Sequence, residues 1–203
     1  MQTRDLSQMP RELAHDERLD GARALMAKLA DALPPSARPL LEGDWLGHPA
    51  HPMLTDLPIG FWTSATVLDL LGGRRAAPAA KRLIGLGLLT VPMTAAAGLA
   101  DWRKMPVSKQ RVGVAHAVGN SAASAMYLLS WAARRRGQRI RGAMFALVGM
   151  GVATGAGLLG GHLSFGDDSP DALDLRQDAV DADGHVDTSA AEVVEQTWAE
   201  ARP

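Results

Sequence analysis

Four long apolar runs constrain this chain more than any other feature. They cover about Met53–Leu71, Leu83–Ala100, Val112–Ala133 and Ala143–Leu163. Each is near the ~20 residues that carry a helix across ~30 Å of hydrocarbon. The second and fourth hold no charged residue, and the third is interrupted only by His116 and Asn120. In the first, Asp56 and Asp69 lie toward opposite ends, where burial against protein lowers the cost of a charge in lipid. A soluble four-helix bundle needs a polar face on every helix, which the second and fourth runs lack. The connections Gly72–Arg82, Asp101–Arg111 and Arg134–Arg141 are short and basic, and short connections make consecutive helices antiparallel. The expected fold is therefore all-α, a four-span transmembrane up-down helical bundle. Pro58 and Pro92 should kink the first two spans. Small residues, as in Gly151-x-x-x-Gly155 and the adjoining Gly157, Gly160 and Gly161, should let helices approach closely.

Composition matters here mainly because its averages conceal two unlike populations. The mean hydropathy of −0.03 mixes the apolar runs with polar ends. The net charge of −1 likewise cancels a tail against a body. Residues 164–203 carry eleven acids and two bases, a charge of −9, and the rest carries nineteen bases and eleven acids, +8. Three regions follow: a polar segment over 1–44, a membrane domain over 45–166 and an acidic, largely disordered tail over 167–203. Within the first, Leu19, Ala22, Met26, Leu29 and Leu33 recur at helical spacing, predicting an N-terminal amphipathic helix on the membrane or on the bundle. Pro34 and Pro35 stop it. Met1 to Leu33 lacks the uninterrupted apolar core of a secretory signal. The basic residues sit in loops without interleaved aromatics, which speaks against nucleic acid as a partner. Cysteine is absent, removing thiolate chemistry and Cys-ligated metal clusters from this chain.

Up-down topology sends particular residues to one side of the bilayer. The starts of spans one and three and the ends of spans two and four share it, which gathers His48, His51, Asp101, Trp102, His116, Asn120 and His162. Imidazoles from facing helices at similar depth suit axial ligation of haem iron. Together with Asp56 or Asp101 they also offer nitrogen and oxygen ligands to a zinc or copper ion. The expected cofactor-binding residues are His48, His51, His116 and His162. The expected metal ligands are His116, His162, Asp56 and Asp101, with Trp102 and Asn120 in support. A structural reading stands beside this one. His48 and His51 would then form a proline-set entry to the first span, His116 and Asn120 would bond backbone or neighbouring helices, and Trp102 would anchor the interface. Tyr127, Trp131 and Phe145 fall toward the opposite side and suggest an aromatic belt there. No hydrolase or phosphate-loop motif is present, so enzymatic chemistry is not expected.

Four motifs occur in order: G-H-P-A-H-P-M-L-T-D-L-P-I-G, G-L-A-D-W, H-A-V-G-N and G-G-H-L-S-F-G. Together they resemble the predicted bacterial membrane domain known as domain of unknown function 2231, over about Trp45–Gly166. The resemblance implies a four-span membrane domain and carries no established activity. Some members resemble fusions to a Rieske iron–sulfur domain, which implies electron transfer. Without cysteine this chain cannot form such a cluster, so a separate redox partner protein would be needed.

The functional expectation is a plasma (inner) membrane protein with a histidine-lined site, holding haem b or a divalent metal and passing electrons. The alternative is a non-catalytic structural or interaction protein whose His, Asp and Trp motifs only stabilise the bundle; either could form homo-oligomers. The two hairpin connections carry nine Lys/Arg, and the positive-inside rule then puts the histidine side outside.

Overall fold

A computed structural model describes residues 8–165, the last of them by its backbone alone. The expected disordered tail, residues 167–203, lies outside the described residues. Within them the chain is all-α, with no strand. Two helices, α1 (Met9–His15) and α2 (Asp20–Asp31), precede a short α3 (Arg38–Glu42). Four long helices follow: α4 (Ala50–Leu71), α5 (Gly73–Trp102), α6 (Val107–Arg135) and α7 (Arg139–Phe165).

The long helices outrun the apolar segments that seed them. α5 begins at Gly73, ten residues before the expected start at Leu83. Its first turns are rich in Ala, Arg and Lys, good helix formers that need no apolar surroundings. The connection to α4 shrinks to the Gly72-Gly73 turn, where Gly73 takes a positive φ of 59°, a conformation cheap for glycine. Gly137, at φ 75°, plays the same part between α6 and α7. Both expected kink residues, Pro58 and Pro92, lie inside continuous helices. Pro58 has no N–H to give the carbonyl of Leu54 one turn back. The Thr94 hydroxyl on α5 approaches that carbonyl at 3.2 Å, sharing its proton with the Thr90 carbonyl of its own helix at 3.1 Å.

Two helices, α5 and α7, are long and apolar enough to cross a membrane, and only 28% of the apolar window of each is buried within the protein. Outward-facing side chains include Leu86, Leu89 and Met93 on α5 and Leu147, Val148 and Leu158 on α7. α4 exposes Leu57, Ile59 and Val67, and α6 exposes Val118, Leu128 and Leu129. The interior is built from Ala, Thr, Ser, a few branched aliphatic residues (Ile84, Val112, Val114, Leu159), aromatic rings and one ion pair.

That interior is layered between α4 and α6. His51 meets His116, Trp62 stacks on Tyr127 at 3.9 Å between ring centroids, and Asp69 pairs with Arg134. The members of each pair are 65 positions apart. The three layers recur after about three and then two helical turns, so each helix contributes one stripe. The facing helices repeat the same way. Trp62 covers Gly87 and His51 covers Gly98 on α5, while Tyr127 covers Gly149 and His116 covers Gly160 on α7. Two consecutive helical hairpins thus build equivalent halves.

These contacts revise three expectations. Tyr127 is 1% exposed and belongs to the core, not to an aromatic belt. Trp131 rests on Gly85 beneath the Arg135 guanidinium. Close approach on α7 falls at Gly142, Gly149 and Gly160, whereas a Cβ at Gly151, Gly155, Gly157 or Gly161 would meet nothing within 4 Å. Those four glycines sit on other faces of the helix, which spacing along the sequence could not reveal.

Candidate functional site

The bundle end that carries the histidines is closed by the N-terminal segment. Leu13 and Ala14 of α1 pack with Val112 and Leu159. Met26 and Ala30 of α2 pack with Trp102 and Val114. The predicted amphipathic helix therefore lays Leu19 and Met26 on the bundle, although Leu29 stays exposed. Polar contacts fix the segment in place. Arg111 donates to both carboxylate oxygens of Asp20 at 3.0 and 2.9 Å and to the carbonyl of Ala14 at 3.1 Å. The Arg111 guanidinium holds the Asp20 carboxyl well down, to about 2, against the opposing effect of desolvation, and Arg23 adds to the lowering. On α3, Glu42 pairs with Lys104 at 2.7 Å and raises the lysine's pKa.

At the same end of the bundle lie two half-buried imidazoles, edge to face with centroids 6.3 Å apart. The N-cap Pro49 starts α4 and places His51 in its first turn. The Nδ1–H of His51 donates to the Thr94 carbonyl at 2.9 Å. The Nδ1–H of His116 donates to the Ala156 carbonyl at 2.8 Å. Each ring lies over the glycine four residues beyond its acceptor, and a Cβ at Gly98 or Gly160 would stand 2.7 Å from the imidazole Cε1. Glycine is what lets both rings reach a helical carbonyl. Thr55 and Asn120, one turn after the two histidines, donate to the carbonyls of His51 and His116 at 2.8 and 3.0 Å. The Asn120 amide also donates to the His116 Nε2 at 3.1 Å.

This pattern fixes the tautomer of both rings. An Nδ1–H held by a carbonyl leaves the lone pair on Nε2, the arrangement typical of metal-binding histidine. The lone pair on His116 accepts from Asn120, and that on His51 has no hydrogen-bond partner among the described residues.

The remaining candidates are more dispersed. His48 lies outside α4, exposed, with its ring nitrogen on the Pro49 carbonyl at 3.1 Å. Asp56 is exposed on α4. Asp101 is half-buried, with Lys104 and Glu42 as charged neighbours. His162 is half-buried two residues beyond Gly160. Trp102 is 3% exposed and donates to the Gln110 carbonyl at 2.8 Å, so it packs inside the protein and does not anchor an interface. Among the described residues, no three His, Cys, Asp or Glu side chains come together as a metal-binding group. The expected set of His116, His162, Asp56 and Asp101 is thus not assembled, and the pairing present is His51 with His116.

Sequence reasoning passed over the opposite end. There Arg134 donates through Nη1 to Asp69 at 2.9 Å, and through Nη2 to its other oxygen. Its Nε–H donates to the Ser130 hydroxyl at 3.2 Å, which donates in turn to the Gly142 carbonyl at 2.6 Å. The Asp69 and Arg134 side chains are 7% and 3% exposed. A signal was available. His51, Trp62 and Asp69 recur as His116, Tyr127 and Arg134 at one constant offset, but the identities differ in two of the three pairs.

Comparison with known proteins adds one finding. The family model described as a predicted membrane protein, domain of unknown function 2231, matches residues 47–168. No curated protein and no solved structure matches.

Proposed function

Since the chain belongs to the domain of unknown function 2231 family of predicted membrane proteins, we propose that it crosses the inner membrane four times and uses the His51–His116 pair as a ligand site. The inside-out distribution of side chains supports four crossings. α4 and α6 turn Leu57, Ile59, Val118 and Leu128 outward while keeping His51, His116, Asp69 and Arg134 inward. Lipid is the solvent that favours such an arrangement. The nine basic residues flanking the two hairpin turns lie toward the end remote from the histidines, which supports that end being inside and the histidine end outside.

The observation that carries the site reading is the matched Nδ1–carbonyl bond on both imidazoles. It leaves an Nε2 lone pair on each of two facing helices, that of His116 held by the Asn120 amide until a ligand displaces it, a donor set that suits haem iron or a copper ion. A bound redox metal would supply one-electron chemistry. The protein would set ring orientation through Thr94 and Ala156, and exclude water with the α1–α2 cover. Electrons would come from a separate partner protein. A second reading is favoured by the Asn120 bond to His116 Nε2: a purely structural clasp with no ligand and no enzymatic role.

Two measurements separate these readings. Protein purified in mild detergent should show an oxidised-minus-reduced haem spectrum or stoichiometric metal, lost in His51→Ala and His116→Ala with helix content retained. Colourless, metal-free protein would leave the clasp. For the crossings, the natural absence of cysteine allows single-cysteine labelling. Gln138→Cys and Val107→Cys should react from opposite sides of sealed vesicles; reaction from one side would refute the topology.

A further inference from the structure

The end remote from the histidines holds a cleft of about 290 Å³ between the first turns of α5, the last turn of α6 and the start of α7. Arg74, Lys81, Arg134 and Arg139 line it. Only Arg134 forms an ion pair among the described residues, with Asp69. Four cations against one acid leave a local charge of +3. Arg139 reaches the Asp69 carbonyl with one nitrogen at 3.4 Å, while its Nε–H is buried without a hydrogen-bond partner. A buried donor left unpaired is costly, the more so on a charged group, so the arrangement is incomplete without an acceptor. A neighbouring cleft of about 370 Å³ shares Arg74 and Arg139 and adds the outward-facing Ile140, 75% exposed.

We infer that this cleft binds a phosphate group, with Arg74, Lys81 and Arg139 as its cationic ligands. Phosphate fits on three counts. Its negative charge offsets part of the cluster. Its several oxygens match guanidinium donors in their planar fork. The N-terminal ends of α5 and α7 open at this same end of the bundle and add positive potential. Two sources share this chemistry, a phospholipid headgroup and free phosphate. Ile140 gives an acyl chain apolar surface beside the charge, which favours the headgroup of an anionic lipid. The inference is independent of the histidine reading, because it concerns the other end of the bundle.

The test compares wild type with Arg74→Gln/Lys81→Gln, which leaves the Asp69–Arg134 pair intact. Arg75→Gln/Arg82→Gln is the charge-matched control, since both residues are exposed and outside the cleft. Protein in phosphatidylcholine nanodiscs doped with phosphatidylglycerol is read by native mass spectrometry for lipid retention. Protein in detergent is titrated with inorganic phosphate and read by its thermal midpoint. Wild type should enrich phosphatidylglycerol, and the cleft variant should bind it roughly a hundred-fold more weakly, about tenfold for each charge-assisted hydrogen bond removed. The control should stay within a few-fold of wild type. A cleft-dependent rise in midpoint with phosphate, without lipid preference, would support free phosphate as the ligand. Equal losses in both variants would reduce the effect to general surface charge and overturn the inference, as would no binding in either arm.

Discussion

Asp69 and Arg134 give the sharpest test of the interior described above. Their side chains are 7% and 3% exposed, and they meet through two parallel N–H···O contacts. Breaking a buried pair by removing one partner costs about 3–5 kcal/mol, because a charge is left without compensation. Removing both and refilling the volume with apolar side chains is often neutral. Asp69→Leu leaves Arg134 with Arg74, Lys81 and Arg139 as its charged neighbours in the cleft, so its cost should fall at the upper end of that range. Arg134→Met strands the Asp69 carboxylate in the last turn of α4, where the helix dipole already disfavours an acid. Ser130 keeps its bond to the Gly142 carbonyl in every variant. The double variant Asp69→Leu/Arg134→Met should then lie within about 1–2 kcal/mol of wild type. The assay is reversible unfolding in mixed micelles followed by far-ultraviolet circular dichroism, run as a double-mutant cycle. Additive losses would refute the reasoning, because residues that act independently add. So would single losses below about 1 kcal/mol, the range of solvent-exposed pairs.

Glycine positions should divide by sign. Gly98→Ala and Gly160→Ala push a methyl against the imidazoles and should cost about 1–3 kcal/mol through overpacking, whereas Gly155→Ala meets open space and should gain up to about 1 kcal/mol of helix propensity; equal thermal midpoints for all three would contradict the packing. The docking of α1 and α2 should depend on pH in acid. The folded Asp20 pKa of about 2 lies below the unfolded value of about 3.9, so this contribution is complete above pH ~4 and is lost as pH falls toward 2. Limited proteolysis between α2 and α4 should accelerate over that window and lose its pH dependence in Asp20→Asn.

Much of the architecture is legible in the one-dimensional pattern. Uncharged runs such as Leu83–Ala100 can only form helices with apolar surroundings, because a backbone in such a segment must satisfy its own hydrogen bonds. Short basic connections then fix the antiparallel order. That order, with no contact known, already sends His51, His116 and His162 to one end. The prolines around His48 and His51 likewise mark a helix entry, which the structure has at Pro49.

What tertiary structure alone decided is which of those residues touch. Helical phase separates Gly160, pressed by an imidazole, from Gly161, which meets nothing within 4 Å. The same phase turns His51 inward and leaves Asp56 exposed five residues later. Arg134 reads as one more basic loop residue until α6 is carried past it and Asp69 arrives from another helix. Periodicity along a chain fixes the direction and relative spacing of side chains on one helix. The rotation and separation of two helices are set by how their side chains interlock, so the partners of Thr94, Ala156 and Arg134 belong to the assembled bundle.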